Sequence, residues 1–286
     1  MLEDTVMEDA DVKKLQASYR GLTLRPYSGD TGVTLSLEYA YESFADGMPM
    51  REIAEALTET YRKAMAEKPD VRFIENPEDY SVIRERLFLQ VVHAEKNREM
   101  LRTIPHKRME NLAVVCRYDI SEAADQSAAV LFTEELLEYY SVTEEKLFRD
   151  AEAAAPRNYP YKLESMENMI GALMGTSEPV EIMVPPVLVA TSDPGVMGAS
   201  VIAYPGFLKA AAEAIGGSFY ILPSSIHEVL LLKDNGLQDE NELEEMVQSV
   251  NETSVDPSER LSDSVYYYES SGDCFRMCRS ADRNPA

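Results

Sequence analysis

A chain of 286 residues with 45% hydrophobic content is long enough to bury a core, as one large domain or two modest ones, which excludes wholesale disorder. With 51 acidic against 27 basic residues the formal charge is -24, which repels phosphate backbones and anionic lipid, so neither nucleic acid nor a membrane is expected as a direct ligand. The longest apolar runs, such as Val187 to Ala190, fall far short of the roughly 20 residues of a membrane helix; with three cysteines, and no basic-then-apolar leader after Met1, reduced thiols and a cytoplasmic location are expected.

In chain order, residues 1–30 read as a polar arm ending in the turn-forming run Tyr27 to Gly32. Val33, Leu35, Leu37 and Tyr39 alternate with polar residues and predict a strand. Ile53, Leu57, Tyr61 and Met65 fall at four-residue steps and predict an amphipathic helix. Val71 and Phe73 suggest a short strand before Pro77, and Ile83, Leu87, Val91 and Leu101 read as one long helix from Tyr80 to Arg102. Leu112 to Cys116 and Ala128 to Phe132 suggest paired strands, and helices beginning at Thr133 and Thr143 carry glutamates in their first turns, where carboxylates favour the helix dipole. Five prolines between 156 and 186 flank a Met-rich helical stretch, Glu164 to Met174, and mark the expected domain boundary. Beyond it Val187 to Ala190, Gly198 to Tyr204, Phe219 to Leu222, Val229 to Leu232 and Val265 to Tyr268 read as strands, with helices at Phe207 to Ile215 and Asn241 to Val250. Without strict βαβ alternation the fold class is α+β, with mixed or antiparallel sheets and packed helices in two subdomains. The expected organisation is an arm (1–30), an N-terminal subdomain (31–155), a Pro-rich linker with a short helix (156–186), a C-terminal subdomain (187–270) and a tail (271–286).

The most enzyme-like cluster is Ser224-Ser225-Ile226-His227-Glu228, which gathers hydroxyls, an imidazole and a carboxylate within five positions. Ser224, Ser225, His227 and Glu228 are therefore the candidate catalytic residues. Against that, catalytic triads are assembled from separated segments and the Gly-x-Ser-x-Gly elbow is absent, so the serines equally serve as turn caps and His227 as an internal hydrogen-bonding group. No metal site is expected. The histidines are His93, His106 and His227, no His-Glu-x-x-His or paired Cys-x-x-Cys occurs, and Cys274 and Cys278 lie in the expected tail. No cofactor is expected either, since both glycine-rich phosphate-cradling motifs are missing. The acidic stretch from Asp234 to Asp263 lacks EF-hand spacing and reads as a solvated face.

The string Tyr220-Ile221-Leu222-Pro223-Ser224-Ser225-Ile226-His227-Glu228-Val229 resembles the signature of an uncharacterised bacterial domain-of-unknown-function family. Glu95-Lys96-Asn97, Pro105-His106, Asn111 to Val115, Gly198-Ala199, Val247 to Asn251 and Leu261 to Tyr266 follow the same pattern, so the resemblance spans residues 33–268. Residues 111–155 also resemble, more faintly, a second uncharacterised bacterial family. Neither resemblance implies an activity or a catalytic residue. Two main readings of function stay open: a non-enzymatic cytoplasmic module that binds a protein partner or regulates through a groove between its halves, and a hydrolase-like enzyme using the Ser224 to Glu228 segment with His227 as base. A third, an acidic mimic of DNA, requires carboxylates arrayed on one surface.

Overall fold

The computed structural model describes residues 5–14, 17–27, 32–66, 74–121, 128–173, 187–193, 195–223 and 225–278. Its fold is α+β, and the described strands form three antiparallel sheets. The chain divides into two units, Met1–Asp70 and Val71–Ala286, a division that lies well before the Pro-rich stretch.

In the first unit β1 (Thr5–Lys14) and β2 (Ala17–Pro26) form a hairpin, and β2 also pairs with β3 (Val33–Ser36). The stretch expected as a polar arm is thus most of a sheet. Its charged residues hid a hairpin of which one face packs, through Leu22 and Leu24, against helix residues Leu57, Tyr61 and Met65. The strand expected to reach Tyr39 stops at Ser36, whose Oγ accepts the Glu38 N–H and turns the chain into α1 (Glu38–Ala45). The amphipathic helix is α2 (Met50–Ala66), which buries Ile53 and Tyr61 as its period requires.

The second unit opens with α3 (Tyr80–Ile83), a single turn, and then β4 (Leu87–His93). The long helix expected over Tyr80 to Arg102 is therefore replaced, for its central part, by a strand. Ile83, Leu87 and Val91 stand four apart, a spacing that a helix and a strand share, and burial on both faces of Leu87 to Val92 left no polar alternation to separate them. The strands β5 (His106–Met109), β6 (Leu112–Asp119) and β7 (Ala129–Leu131) complete this sheet, with β6 at its centre. Helix α4 (Glu134–Tyr140) is capped by Thr133, and α5 (Glu144–Asn158) by Thr143, each hydroxyl accepting a backbone N–H of the first turn.

The Pro-rich stretch is not a linker in its described part. Pro156 lies inside α5, β8 (Tyr161–Ser165) follows, and α6 (Met166–Leu173) occupies the place of the expected Met-rich helix. Strand β8 is the edge of the largest sheet, completed by β9 (Val187–Ser192), β10 (Phe219–Leu222), β11 (Glu228–Lys233), β12 (Tyr266–Glu269) and β13 (Cys274–Met277) in the order β13-β12-β10-β11-β9-β8. The expected tail thus contributes a strand, because Phe275 stacks on Tyr266 and Met277 pairs with it in register. Helix α7 (Phe207–Ile215) ends at Gly216, whose left-handed φ of 82° turns the chain so that the Gly217 N–H also reaches Ala212 O at 2.9 Å. Helix α8 (Glu240–Ser254) covers part of the outer sheet face through Leu243 and Val247.

The larger of the second unit's two buried clusters runs from Ile74 to Tyr268 and draws Phe88, Val91 and Cys116 from one sheet and Ala190, Ile221 and Leu231 from the other. The expected halves, where they lie in the second unit, share this core rather than facing each other across a groove. Residues Gly198 to Ala203, expected as a strand, form instead a buried 3-10 turn that joins the two sheets: Ser200 Oγ accepts the Val91 N–H from the edge of β4 at 3.0 Å, and the Ala199 N–H donates to Ile226 O. Strand 4 needs that acceptor, since an unpaired buried N–H is costly. Val71 and Phe73, expected as a strand, lie outside the described residues.

Candidate functional site

The enzyme-like segment connects β10 to β11. Ser224 lies outside the described residues, and Glu228 opens β11 opposite Thr191. Ser225 is buried, and its Oγ accepts the His227 N–H at 3.0 Å, a serine turn that bends the chain into the strand. The His227 carbonyl accepts from Thr191 Oγ1 at 2.8 Å, while its Nδ1 accepts the Met197 N–H at 3.3 Å. An amide can only donate, so the neutral imidazole carries its proton on Nε2, which lies 3.5 Å from Glu259 Oε1. Ile226 donates its N–H to Glu259 O at 2.8 Å. Gly198 sits so close that a Cβ there would stand 2.0 Å from Thr191 Oγ1 and 2.3 Å from His227 O, and no side chain fits.

These bonds tie together β9, β11, the 195–203 turn and the loop carrying Glu259. A nucleophile and its base need a hydroxyl to imidazole hydrogen bond of about 2.6–3.2 Å. Ser225 Oγ instead faces a backbone amide, and among the described residues no hydrogen bond joins it to the His227 ring. The side chain of His227 is 35% exposed and that of Glu259 48%, so this pair is accessible to solvent, as is the partly exposed Glu228.

The remaining motifs are also engaged locally. His93 Nδ1 accepts the Lys96 N–H, and His106 Nδ1 lies 2.9 Å from Ile104 O. Burial pushes the Cys116 thiol far up and that of Cys278 up to about 12, which keeps both protonated. Among the described residues no group of three His, Cys, Asp or Glu side chains is placed to hold a metal ion. In the acidic stretch Asp239 caps α8, Asp256 caps the turn at Ser258 and Asp234 accepts from Tyr267. A polar cluster that sequence reasoning missed joins the turn before β6, α8 and the chain entering β12. Tyr266 donates to Asn111 Oδ1 at 2.5 Å, Asn111 Nδ2 to Ser264 Oγ at 3.1 Å, and Asn251 Nδ2 to both Ser262 O and Asp263 Oδ1 at 2.9 Å. Its only signal was the recurrence of those residues in the strings quoted above.

A second surface, equally unforeseen, lies in the first unit. Helix α1 buries Ser43 and leaves its large side chains outside: Tyr39 is 64% exposed, Tyr41 69% and Phe44 56%, with Met50 of α2 at 63%. Beside them is a cavity of about 310 Å³ lined by Leu37, Ala40, Tyr41, Phe44, Met50, Ile53 and Leu57. Glu38, Glu42, Asp46, Glu52, Glu55 and Glu59 are exposed on or just after these two helices, where they outnumber the bases Arg51, which pairs with Glu55 at 3.0 Å, Arg62, which pairs with Glu59 at 3.8 Å, and Lys63. Apolar floor and acidic surroundings together suit a cationic, amphipathic ligand.

Among the described residues no helix is long and apolar enough to cross a membrane. No curated protein and no solved structure matches the sequence. A model of a family of unknown function, DUF5688, matches residues 2–270, nearly the whole length over which the two units and their joints have been traced, and the chain belongs to that family.

Proposed function

We propose that the protein is a non-enzymatic binding module that receives a basic amphipathic helix of a protein partner in the groove between α1 and α2. One observation carries this reading: α1 turns a serine inward and Tyr39, Tyr41 and Phe44 outward, the reverse of what a helix does when its own fold is its only purpose. Aromatic side chains beside a preformed apolar cavity are typical anchors of interfaces, and the acidic residues around them select a cationic partner and speed its encounter. The test is titration of the purified protein with a Lys/Leu amphipathic helix and its Glu/Leu counterpart. The Lys/Leu helix binds, and Phe44→Ala, which leaves the charge unchanged, weakens it by roughly tenfold. Equal binding to wild type and Phe44→Ala means general attraction to an acidic protein, and the reading fails.

A hydrolase using His227 is the second reading, supported by the partly exposed His227 and Glu259 pair. It requires turnover of simple esters or peptides that His227→Ala and Ser225→Ala both abolish in folded protein.

A further inference from the structure

Arg117 lies in the middle sheet opposite Phe88 on one side and Leu131 on the other. Its Nη2 donates to Ala129 O at 3.0 Å and its Nη1 to Gln90 Oε1 at 3.2 Å, while a further Nη1 contact is the thioether of Met197 at 3.9 Å. Nε is buried and, among the described residues, has no hydrogen-bond partner. Among the described residues no carboxylate pairs with this guanidinium, in a chain with 51 acidic residues, and burial depresses its pKa. A strut from β6 to β4 and β7 would explain the two bonds to amide oxygens. It does not explain a half-buried cation left without a counter-charge among the described residues, nor a donor spent on sulfur, a weak acceptor.

We propose that Arg117 anchors the carboxylate of a ligand, a small organic acid or the C-terminus of a peptide, which takes the place beside Nη1 that Met197 Sδ now fills. The planar guanidinium suits a two-oxygen acceptor. A monoanion is favoured over phosphate because the net charge of -24 opposes a dianion more strongly. Met197 is built to yield. Its backbone is held in the left-handed region, φ 52°, by the bond from its N–H to His227 Nδ1, so its partly exposed side chain swings aside without moving the loop. On this reading His227 positions the plug and takes no part in chemistry.

The experiment follows the 15N–1H resonance of Arg117 Nε in the full chain at constant ionic strength. The probes are acetate, a short apolar peptide with a free C-terminus, the same peptide amidated, and inorganic phosphate. A saturable shift with acetate and the free-acid peptide, none with the amidated peptide, and a several-fold lower half-saturation in Met197→Ala are expected. Saturation by the peptide at tenfold lower concentration than acetate identifies a chain end as the ligand, and comparable concentrations identify a small acid. In Arg117→Gln the thermal midpoint no longer rises with the carboxylates; should that variant not fold, the wild-type resonance still decides. No saturable shift, an equal response to the amidated peptide, or a larger response to phosphate overturns the proposal.

Discussion

Helices α5 and α1 carry similar signals and do opposite things with them. Both begin with glutamate in the first turn, but α5 buries Leu147, Phe148, Ala151, Ala154 and Ala155, whereas the buried residue of α1 is Ser43 and its aromatic side chains face outward. An apolar residue on a helix therefore does not by itself say which surface, if any, covers it. Two phenylalanines sharpen the contrast. Phe148→Ala removes a ring from the core and lowers unfolding free energy by about 3–5 kcal/mol in urea titration. Phe44→Ala leaves stability within about 0.5 kcal/mol while weakening the Lys/Leu helix roughly tenfold. A large loss of stability in the second variant would mean that the α1 ring is covered after all, and the contrast would collapse.

The turn at Gly198 tests the same contrast from the side of the second unit, where side chains serve the backbone rather than a partner. Gly198→Ala forces a methyl into the Thr191 hydroxyl and the His227 and Ser192 backbone, and a loss of about 1–3 kcal/mol is expected. Thr143→Ala removes the cap of α5 and costs about 1 kcal/mol, measured in the same way. An unchanged Gly198→Ala would show that the junction around His227 is loose, and would return that segment to the search for a catalytic site.

How much was legible depended on whether a signal was local. The apolar period of α2 and the caps Thr133 and Thr143 are local, and they located their helices. Strand 4 was not legible, because a four-residue spacing does not separate two-residue from 3.6-residue periodicity once both faces are buried. The site was legible in type and illegible in use. Ser225 and His227 stood out as polar groups near each other, but their hydrogen-bond partners include Met197 and Thr191, some 30 and 36 residues from His227, and only the fold brings these together. Arg117 and the outward face of α1 gave no signal at all. An arginine in a strand and a tyrosine on a helix are ordinary until the fold shows what surrounds them.

The smallest effect concerns His93, at the end of β4, where burial and then the nearby Lys96 hold the imidazole below its ordinary value of 6.5 against the opposing pull of Asp263 and Glu95. A histidine whose folded pKa is depressed resists a proton that the unfolded chain accepts. The folded state is therefore fully favoured above the unfolded pKa near 6.5, and loses stability as pH falls from there toward the lower folded pKa. His93→Gln removes that loss, so the difference in stability between variant and wild type shifts in the variant's favour as pH drops below about 6.5. Stability differences that do not change with pH would mean that His93 is open to water, and that the packed second unit is looser at the end of β4 than its core implies.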